Sequence, residues 1–156
     1  MVKKRIPKKS LKIDNKPGAY LTGIEEKILG IPEDQRKSQS EKPYIALKYF
    51  DPSYECFSAW SPEELKAFSS FNKKLSQLTW QDINKSGGKK GGKTGVAYTV
   101  HKDRGKLPDN DALKRISPDL TFFELRVSEK ARVHGFRMKS AFFLVWLDRN
   151  HQIYPM

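Results

Sequence analysis

The sequence has one cysteine, three histidines and no long apolar run, and each scarcity excludes a class of protein. Because Cys56 is alone, no intramolecular disulfide can form, and a reducing compartment is expected. The longest apolar run, Ala141–Leu147, is too short to cross a bilayer. The basic residues 1–11 are not followed by the apolar stretch of a secretory signal. We therefore expect a cytoplasmic protein with no membrane partner.

Motifs for metal binding and for covalent catalysis are also scarce. The one cysteine and the histidines at 101, 134 and 151 do not have the ligand spacing of a structural zinc site. Cys56 has no flanking signature of a catalytic nucleophile. In the basic C-terminal part, Glu124 and Asp148 stand nearly alone, which disfavours a metal-dependent nuclease. We expect no cofactor and no metal ion.

Positive charge is abundant and unevenly distributed. The chain has 30 Lys and Arg against 18 Asp and Glu, a net charge of +12 with a pI near 9.8. Residues 43–84 are nearly neutral, whereas residues 85–106 carry 7 basic and 1 acidic side chains. A surplus of this size favours a polyanionic partner, and we expect RNA. The Gly- and Lys-rich loop 85–95 contains four lysines that are candidates for phosphate contacts: Lys85, Lys89, Lys90 and Lys93. Alternatively, this loop is a disordered hairpin tip.

The pattern along the chain predicts a flexible arm followed by one domain. Residues 1–42 are basic and interrupted by proline and glycine, so they are expected to form a mobile arm. The domain, residues 43–156, begins with a strand over 44–50. Ser61-Pro62-Glu63-Glu64 predicts a capped helix start, and Thr79-Trp80-Gln81-Asp82 predicts a second, shorter helix. A further strand is expected over 96–100.

The C-terminal part predicts an antiparallel meander. Apolar segments at 121–127, 131–136 and 141–147 are separated by short polar breaks, and residues 148–151 have the turn chemistry that reverses the chain into 152–154. The third segment is apolar throughout, as expected of a strand covered on both faces. The fold class predicted is α+β, with the N-terminal strand and a helical pair packed on a curved, mainly antiparallel sheet that ends in the meander.

Cations, imidazoles and a phenol are predicted to converge on this meander. Metal-free cleavage of RNA requires a base for the attacking 2′-hydroxyl, an acid for the leaving oxygen and cations for the phosphate. The arginines suit the phosphate, and the histidines and tyrosine suit proton transfer. The candidate catalytic residues are Arg126, Arg132, His134, His151 and Tyr154. Further candidates for nucleic-acid binding are Lys130, Arg137 and Arg149.

The order of elements and the string Glu124-Leu125-Arg126 resemble the RelE/ParE/HigB superfamily of toxin–antitoxin toxins. The resemblance covers residues 44–156. It implies a microbial-ribonuclease-like fold that cleaves mRNA without metal, with the ribosome as a candidate location and an acidic antitoxin as partner. It matches Arg126 to the strand arginine that binds phosphate, Arg132 or Arg137 to a second arginine, and His151 or Tyr154 to the C-terminal acid or base.

Two other functions are compatible with the sequence. A non-catalytic nucleic-acid-binding module would use the basic residues without the His/Tyr set. An accessory subunit of a defence or ribonucleoprotein complex would use a sheet edge and two aromatic residues expected to be exposed, Trp60 and Tyr98.

Overall fold

The computed structural model describes residues 40–87, 95–109, 114 and 116–155. The predicted arm therefore lies outside the described residues except for its last three positions, and so do Lys89, Lys90 and Lys93. Glu41, within the predicted arm, already joins the domain, because its carbonyl accepts a hydrogen bond from Trp80 N at 3.1 Å. Across the described ranges no helix is both long and apolar enough to cross a membrane.

Two α-helices begin at the capping motifs. Helix α1 spans Pro62–Leu75 and α2 spans Trp80–Lys85. The Ser61 hydroxyl accepts from Glu64 N at 3.2 Å, and the Glu64 carboxylate accepts from Ser61 N at 2.8 Å. Thr79 and Asp82 form the same reciprocal pair at α2. Both predicted helix starts are confirmed.

The strands form one five-stranded mixed sheet in the order β1-β5-β4-β3-β2. The strands are β1 (Tyr44–Ala46), β2 (Thr99–Val100), β3 (Phe122–Arg126), β4 (Arg132–Met138) and β5 (Ala141–Asp148). β1 is parallel to β5, and the other pairs are antiparallel. β5 is buried at every position, as its apolar run predicts. The α+β class and the antiparallel meander are confirmed.

Two predicted strands are shorter than expected. β1 ends at Ala46 because residues 47–50 turn, and the chain rejoins β5 where Asp51 N donates to Val145 O at 2.8 Å. The 96–100 strand is interrupted at Ala97, whose φ is 49°, so β2 is reduced to Thr99 and Val100, although Val96 O still accepts a hydrogen bond from Arg126 N at 2.6 Å. After β5 the chain turns, as predicted, and the amides of Gln152 and Ile153 donate to the Asp148 carboxylate.

The two faces of the sheet are covered differently. The helices cover one face, where Leu75, Trp80 and Ile83 pack with apolar side chains of β3, β4 and β5. Loop residues Leu107 and Ile116, together with Ile153, cover part of the other face. Residues that are directly opposite in antiparallel strands have their side chains on the same face. Most polar side chains of β3 and β4 are opposite one another and lie on the loop-covered face.

The aromatic residues expected to be exposed are not. Trp60 is only 5% exposed, and its indole N–H donates to Glu55 Oε2 at 2.7 Å. Tyr98 is half-buried, with its ring centroid 4.7 Å from that of Phe123. The predicted exposure is therefore wrong for Trp60, whereas Tyr98 keeps part of its side chain exposed.

A β-bulge interrupts the pairing of β4 with β5. His134 is opposite Trp146 and Gly135 is opposite Leu144, so Val145 has no partner in β4. A side chain at position 135 would have no space, because an added Cβ would lie 1.9 Å from the Phe143 carbonyl oxygen. Bulges redirect neighbouring side chains, and this one adjoins His134.

We expect Gly135→Ala to lower the free energy of unfolding by about 3 kcal/mol, because the adjacent strand backbone must move. Gly105→Ala is the matched control, since its new Cβ would meet only the Asp103 carboxylate, at 3.1 Å. Urea denaturation followed by circular dichroism measures both variants. Equal stability of the two variants would contradict the close approach of β4 and β5.

Candidate active site

Three adjacent strands bring charged side chains together on the loop-covered face. In the β3–β4 register, Glu124 is opposite His134 and Arg126 is opposite Arg132. In the β4–β5 register, Arg132 is opposite Asp148. Since residues in register share a face, the charged ends of three strands form one polar cluster beside the loop-covered apolar core.

Asp148 holds the turn that follows β5. It is 2% exposed, and its carboxylate accepts hydrogen bonds from Gln152 N at 2.7 Å and Ile153 N at 2.9 Å. His134 Nε2 lies 3.0 Å from Asp148 Oδ2. Burial acts to raise the pKa of Asp148, but these hydrogen bonds outweigh it and lower the pKa below its ordinary value. Asp148 is therefore an ionised acceptor to which His134 donates.

His134 and His101 continue this hydrogen-bonded chain. His134 is fully buried, and burial lowers its pKa despite the bond to Asp148. With Nε2–H donated to Asp148, His134 Nδ1 is the acceptor for His101 Nε2, 2.9 Å away. Burial lowers the pKa of His101 to about 3, so both imidazoles are neutral at physiological pH. A buried neutral His134 does not contact solvent, and we assign it a positioning role.

Glu124 is the carboxylate at the centre of the cluster. Its side chain is 3% exposed, with Oε1 3.2 Å from His151 Nε2 and 3.8 Å from Arg132 Nε. Its other oxygen, Oε2, has no hydrogen-bond partner among the described residues and lies 3.8 Å from His134 Nδ1. Burial raises the pKa of Glu124 to about 7, and Arg132 only partly opposes this. A carboxyl group with this pKa can exchange protons near neutral pH.

His151 reaches Glu124 from the turn after β5. Its φ of 53° lies in the left-handed region, and its backbone N–H donates to Asp148 O at 3.3 Å. The side chain is 19% exposed, more than Glu124 at 3% or Arg132 at 13%. Burial is the main reason that the pKa of His151 is lowered, with Arg132 adding to it. His151 is thus the most exposed side chain of the three, although its Nε2, which faces Glu124, is buried and has no hydrogen-bond partner among the described residues.

The two arginines differ in how firmly they are placed. Arg132 Nη1 donates to carbonyl oxygens of the β3–β4 turn, at 3.1 Å to both Ser128 O and Ala131 O. This turn fixes the guanidinium beside Glu124. Arg126 is half-buried at the end of β3, and its Nη2 donates to Gly95 O at 3.4 Å. Arg126 is the β3 residue opposite Arg132, two positions along the strand from Glu124.

The remaining candidates lie around or away from this cluster. Tyr154 packs against His101 with the rings tilted by 37° and their centroids 4.4 Å apart, and the Lys106 ammonium lies 5.3 Å from the Tyr154 centroid. Lys130 is exposed in the β3–β4 turn, and Lys85 is exposed at the end of α2.

Two of the predicted nucleic-acid-binding arginines do not join the cluster. Arg137 is on the helix-covered face, where its guanidinium lies 4.4 Å from the Trp80 ring centroid. Arg149 is tied to the helical layer, because its backbone N–H donates to Glu55 Oε2 at 3.0 Å and its guanidinium contacts the Ala59 carbonyl. The face that carries Glu124 therefore lacks these two cations.

Sequence reasoning did not select three members of the cluster, Glu124, Asp148 and His101, as site residues. Alternate residues of a strand lie on the same face, so the sequence alone places Glu124 beside the selected residue Arg126 and could have identified it. His101 directly follows the two-residue edge strand β2, and no periodic pattern marks it. Comparisons of the chain with protein-family models, with curated proteins and with solved structures found no match.

Proposed function

We propose that this protein is an RNA-binding endoribonuclease that cleaves mRNA without a metal ion, by attack of the substrate's 2′-hydroxyl on the adjacent phosphate. One observation carries the proposal: Glu124 lies 3.2 Å from the His151 imidazole and 3.8 Å from the Arg132 guanidinium. These are the three chemical groups that the reaction uses, and they lie together in a chain of net charge +12.

The directions of the pKa shifts suggest which group takes and which gives a proton. Glu124, with its pKa raised to about 7, is the better donor, and His151, with its pKa lowered, is the better acceptor. His151 removes the 2′-hydroxyl proton, and the 2′-oxygen forms its bond to phosphorus. The bond from phosphorus to the 5′-oxygen breaks as Glu124 protonates that oxygen.

The products are a 2′,3′-cyclic phosphate and a 5′-hydroxyl, and no other reactant is consumed. Cleavage leaves His151 protonated and Glu124 ionised. The two atoms are 3.2 Å apart but are not hydrogen-bonded, so the imidazole rotates into line with the carboxylate before a proton transfer restores the starting state. Arg132 stabilises the negative charge that develops on the phosphate oxygens. RNA would approach from the side of His151, the most exposed of the three.

The other candidate residues act around these three. The contacts from Asp148 to the amides of residues 152 and 153 and to His134 hold the turn that carries His151. Arg126 supplies a second cation at the end of β3 and Tyr154 packs on His101, so neither transfers a proton in this scheme.

The resemblance to the RelE/ParE/HigB toxins extends the proposal to the biological role. An N-terminal strand parallel to the last strand, with two helices on one face, supports a toxin-like domain. The substrate would then be mRNA, with the ribosome as a candidate location, and an acidic antitoxin would be the protein partner.

End-group analysis of the products tests the reaction. Purified protein is incubated with a 5′-labelled RNA in EDTA, and with translating ribosomes in a second arm that keeps Mg²⁺ because its removal dissociates the ribosome. We expect 2′,3′-cyclic phosphate ends in at least one arm. The absence of cleavage in both arms, with RNA bound, would replace this proposal with the binding-module function.

RNA binding is expected to be mainly electrostatic. If about six phosphates are neutralised, the logarithm of the binding constant should fall with the logarithm of salt concentration with a slope of about −4 for single-stranded RNA. Fluorescence anisotropy with a 2′-deoxy-substituted oligonucleotide measures this without cleavage. An affinity that does not change with salt would contradict phosphate binding by the basic residues.

A further inference from the structure

Three potential metal ligands converge from three strands at the centre of the sheet. They are His101, which follows β2, Glu124 in β3 and His134 in β4, and all three are buried. Their ligand atoms all lie within 4.8 Å of one another. Because the residues are far apart in sequence, the spacing motifs of structural zinc sites do not detect them.

The separations between the donor atoms suit a tetrahedral ion. With metal–ligand bonds of about 2.0–2.1 Å, two tetrahedral ligand atoms are about 3.3 Å apart. His101 Nε2 is 2.9 Å from His134 Nδ1, and Glu124 Oε2 is 3.8 Å from the same nitrogen. These two distances lie on either side of the ideal value, and no pair of ligand atoms is more than 4.8 Å apart, so small side-chain rotations would bring the three atoms around one ion.

The hydrogen bonds around the group already have the arrangement that a metal site requires. Asp148 receives the Nε2–H of His134, which leaves Nδ1 with its lone pair directed at the group. A carboxylate that orients a ligating histidine in this way is the usual second layer of a zinc site. Glu124 is 2% exposed, and its Oε2 has no hydrogen-bond partner among the described residues. A buried oxygen of this kind is costly unless something binds it.

We propose that His101 Nε2, His134 Nδ1 and Glu124 Oε2 bind a divalent transition-metal ion, with Zn²⁺ the best match. Two imidazole nitrogens and one carboxylate oxygen favour Zn²⁺ or Co²⁺ over Mg²⁺ or Ca²⁺, which prefer oxygen ligands. On binding, the proton on His101 Nε2 moves to Nδ1, a buried atom with no partner among the described residues. His134 keeps its hydrogen bond to Asp148.

One consequence rests on the proposed function. A metal ion on Glu124 removes the carboxyl group that donates the proton, so Zn²⁺ would inhibit RNA cleavage. The metal site and the ribonuclease activity are tested separately, because binding is measured without RNA and cleavage is measured in EDTA.

The test is metal binding to the full chain, first stripped with a chelator. Equilibrium dialysis against Zn²⁺ should give one ion per protein, and Co²⁺ should give the intense visible absorption of a tetrahedral site. His101→Gln removes one ligand but keeps an N–H that can donate to His134, and it should weaken Zn²⁺ binding at least about 10-fold. Circular dichroism establishes that the variant is folded.

Cys56→Ser is the matched control, because Cys56 is the one thiol in the chain and thiolates bind zinc. This variant should bind Zn²⁺ as tightly as the wild type.

Glu124→Gln should lose binding in the same way as His101→Gln, which protects the result against misfolding of one variant. Binding that survives both His101→Gln and Glu124→Gln, or that disappears with Cys56→Ser, would overturn the proposed site. If Zn²⁺ binds with the expected pattern but no RNA is cut in EDTA, the metal site stands and the ribonuclease proposal fails.

Discussion

Replacing Glu124 with glutamine is expected to reduce RNA cleavage by about 100- to 10,000-fold, the range for loss of a general acid or base. Glutamine keeps the shape of the buried side chain but cannot exchange the proton. The rate is measured under single-turnover conditions in EDTA, so that binding and metal content do not contribute. RNA affinity, measured on a 2′-deoxy-substituted oligonucleotide, should change little.

Glu129→Gln is the matched control, since Glu129 is an exposed glutamate in the neighbouring β3–β4 turn. It should cleave at the wild-type rate. A substrate with sulfur in place of the 5′-oxygen has a leaving group that needs no acid, and it should restore most of the rate to Glu124→Gln but not to His151→Ala. Rescue of His151→Ala alone would reverse the two roles, and full activity of Glu124→Gln on ordinary RNA would remove Glu124 from the mechanism.

Replacing Asp148 with alanine is expected to lower the free energy of unfolding by about 3–5 kcal/mol. The substitution leaves the amides of Gln152 and Ile153 and the imidazole of His134 without their acceptor in a buried site. Asp148→Asn keeps the volume and one acceptor oxygen, so it should be intermediate. Asp119→Ala, an exposed aspartate, should stay within about 0.5 kcal/mol of wild type. Urea denaturation at pH 7 measures all three.

The loss of unfolding free energy on replacing Asp148 should become smaller as the pH falls. Because folding lowers the pKa of this carboxyl below its unfolded value of about 3.9, its stabilising effect is fully present above about pH 4. The effect is lost as the pH falls through the lower, folded pKa. The difference between wild type and Asp148→Asn should therefore shrink in acid, and a difference that grows below pH 4 would contradict an ionised Asp148.

The sequence predicted the parts of the fold that local chemistry controls. Ser61 followed by Pro62 and Glu64 has a single good structural interpretation, and the helix begins there. The apolar run 141–147 likewise becomes the strand buried on both faces. In these cases the residues that determine the structure are adjacent in the chain, so the pattern is visible without knowledge of tertiary contacts.

The parts that were missed depend on contacts between distant residues. After β5, the amides of Gln152 and Ile153 donate to the Asp148 carboxylate, a contact that no local sequence pattern marks. Ala97 adopts φ 49° at a position where no glycine or asparagine signals a break. His101 joins the site only because β2 pairs with β3 in a register that two residues define.

The candidate site was predicted in the same uneven way. Arg132, His134 and His151 were selected for their chemistry and do lie together, whereas Glu124 was noted only as an isolated carboxylate. Its importance follows from burial, which raises its pKa to about 7, and from its short distances to His151 and Arg132. Chemical type alone also placed Arg137 with the site, although it lies on the opposite face of the sheet over Trp80.

The most direct test of the 2′-hydroxyl mechanism is cleavage of two oligonucleotides that differ in one atom. One is an RNA that contains a mapped cleavage position, and the other carries 2′-deoxyribose at that nucleotide alone. In the arm in which the RNA is cut, we predict that the ribose substrate is cleaved to a 2′,3′-cyclic phosphate and that the deoxy substrate stays intact at that position while binding equally well. Cleavage of both substrates at similar rates would contradict the mechanism.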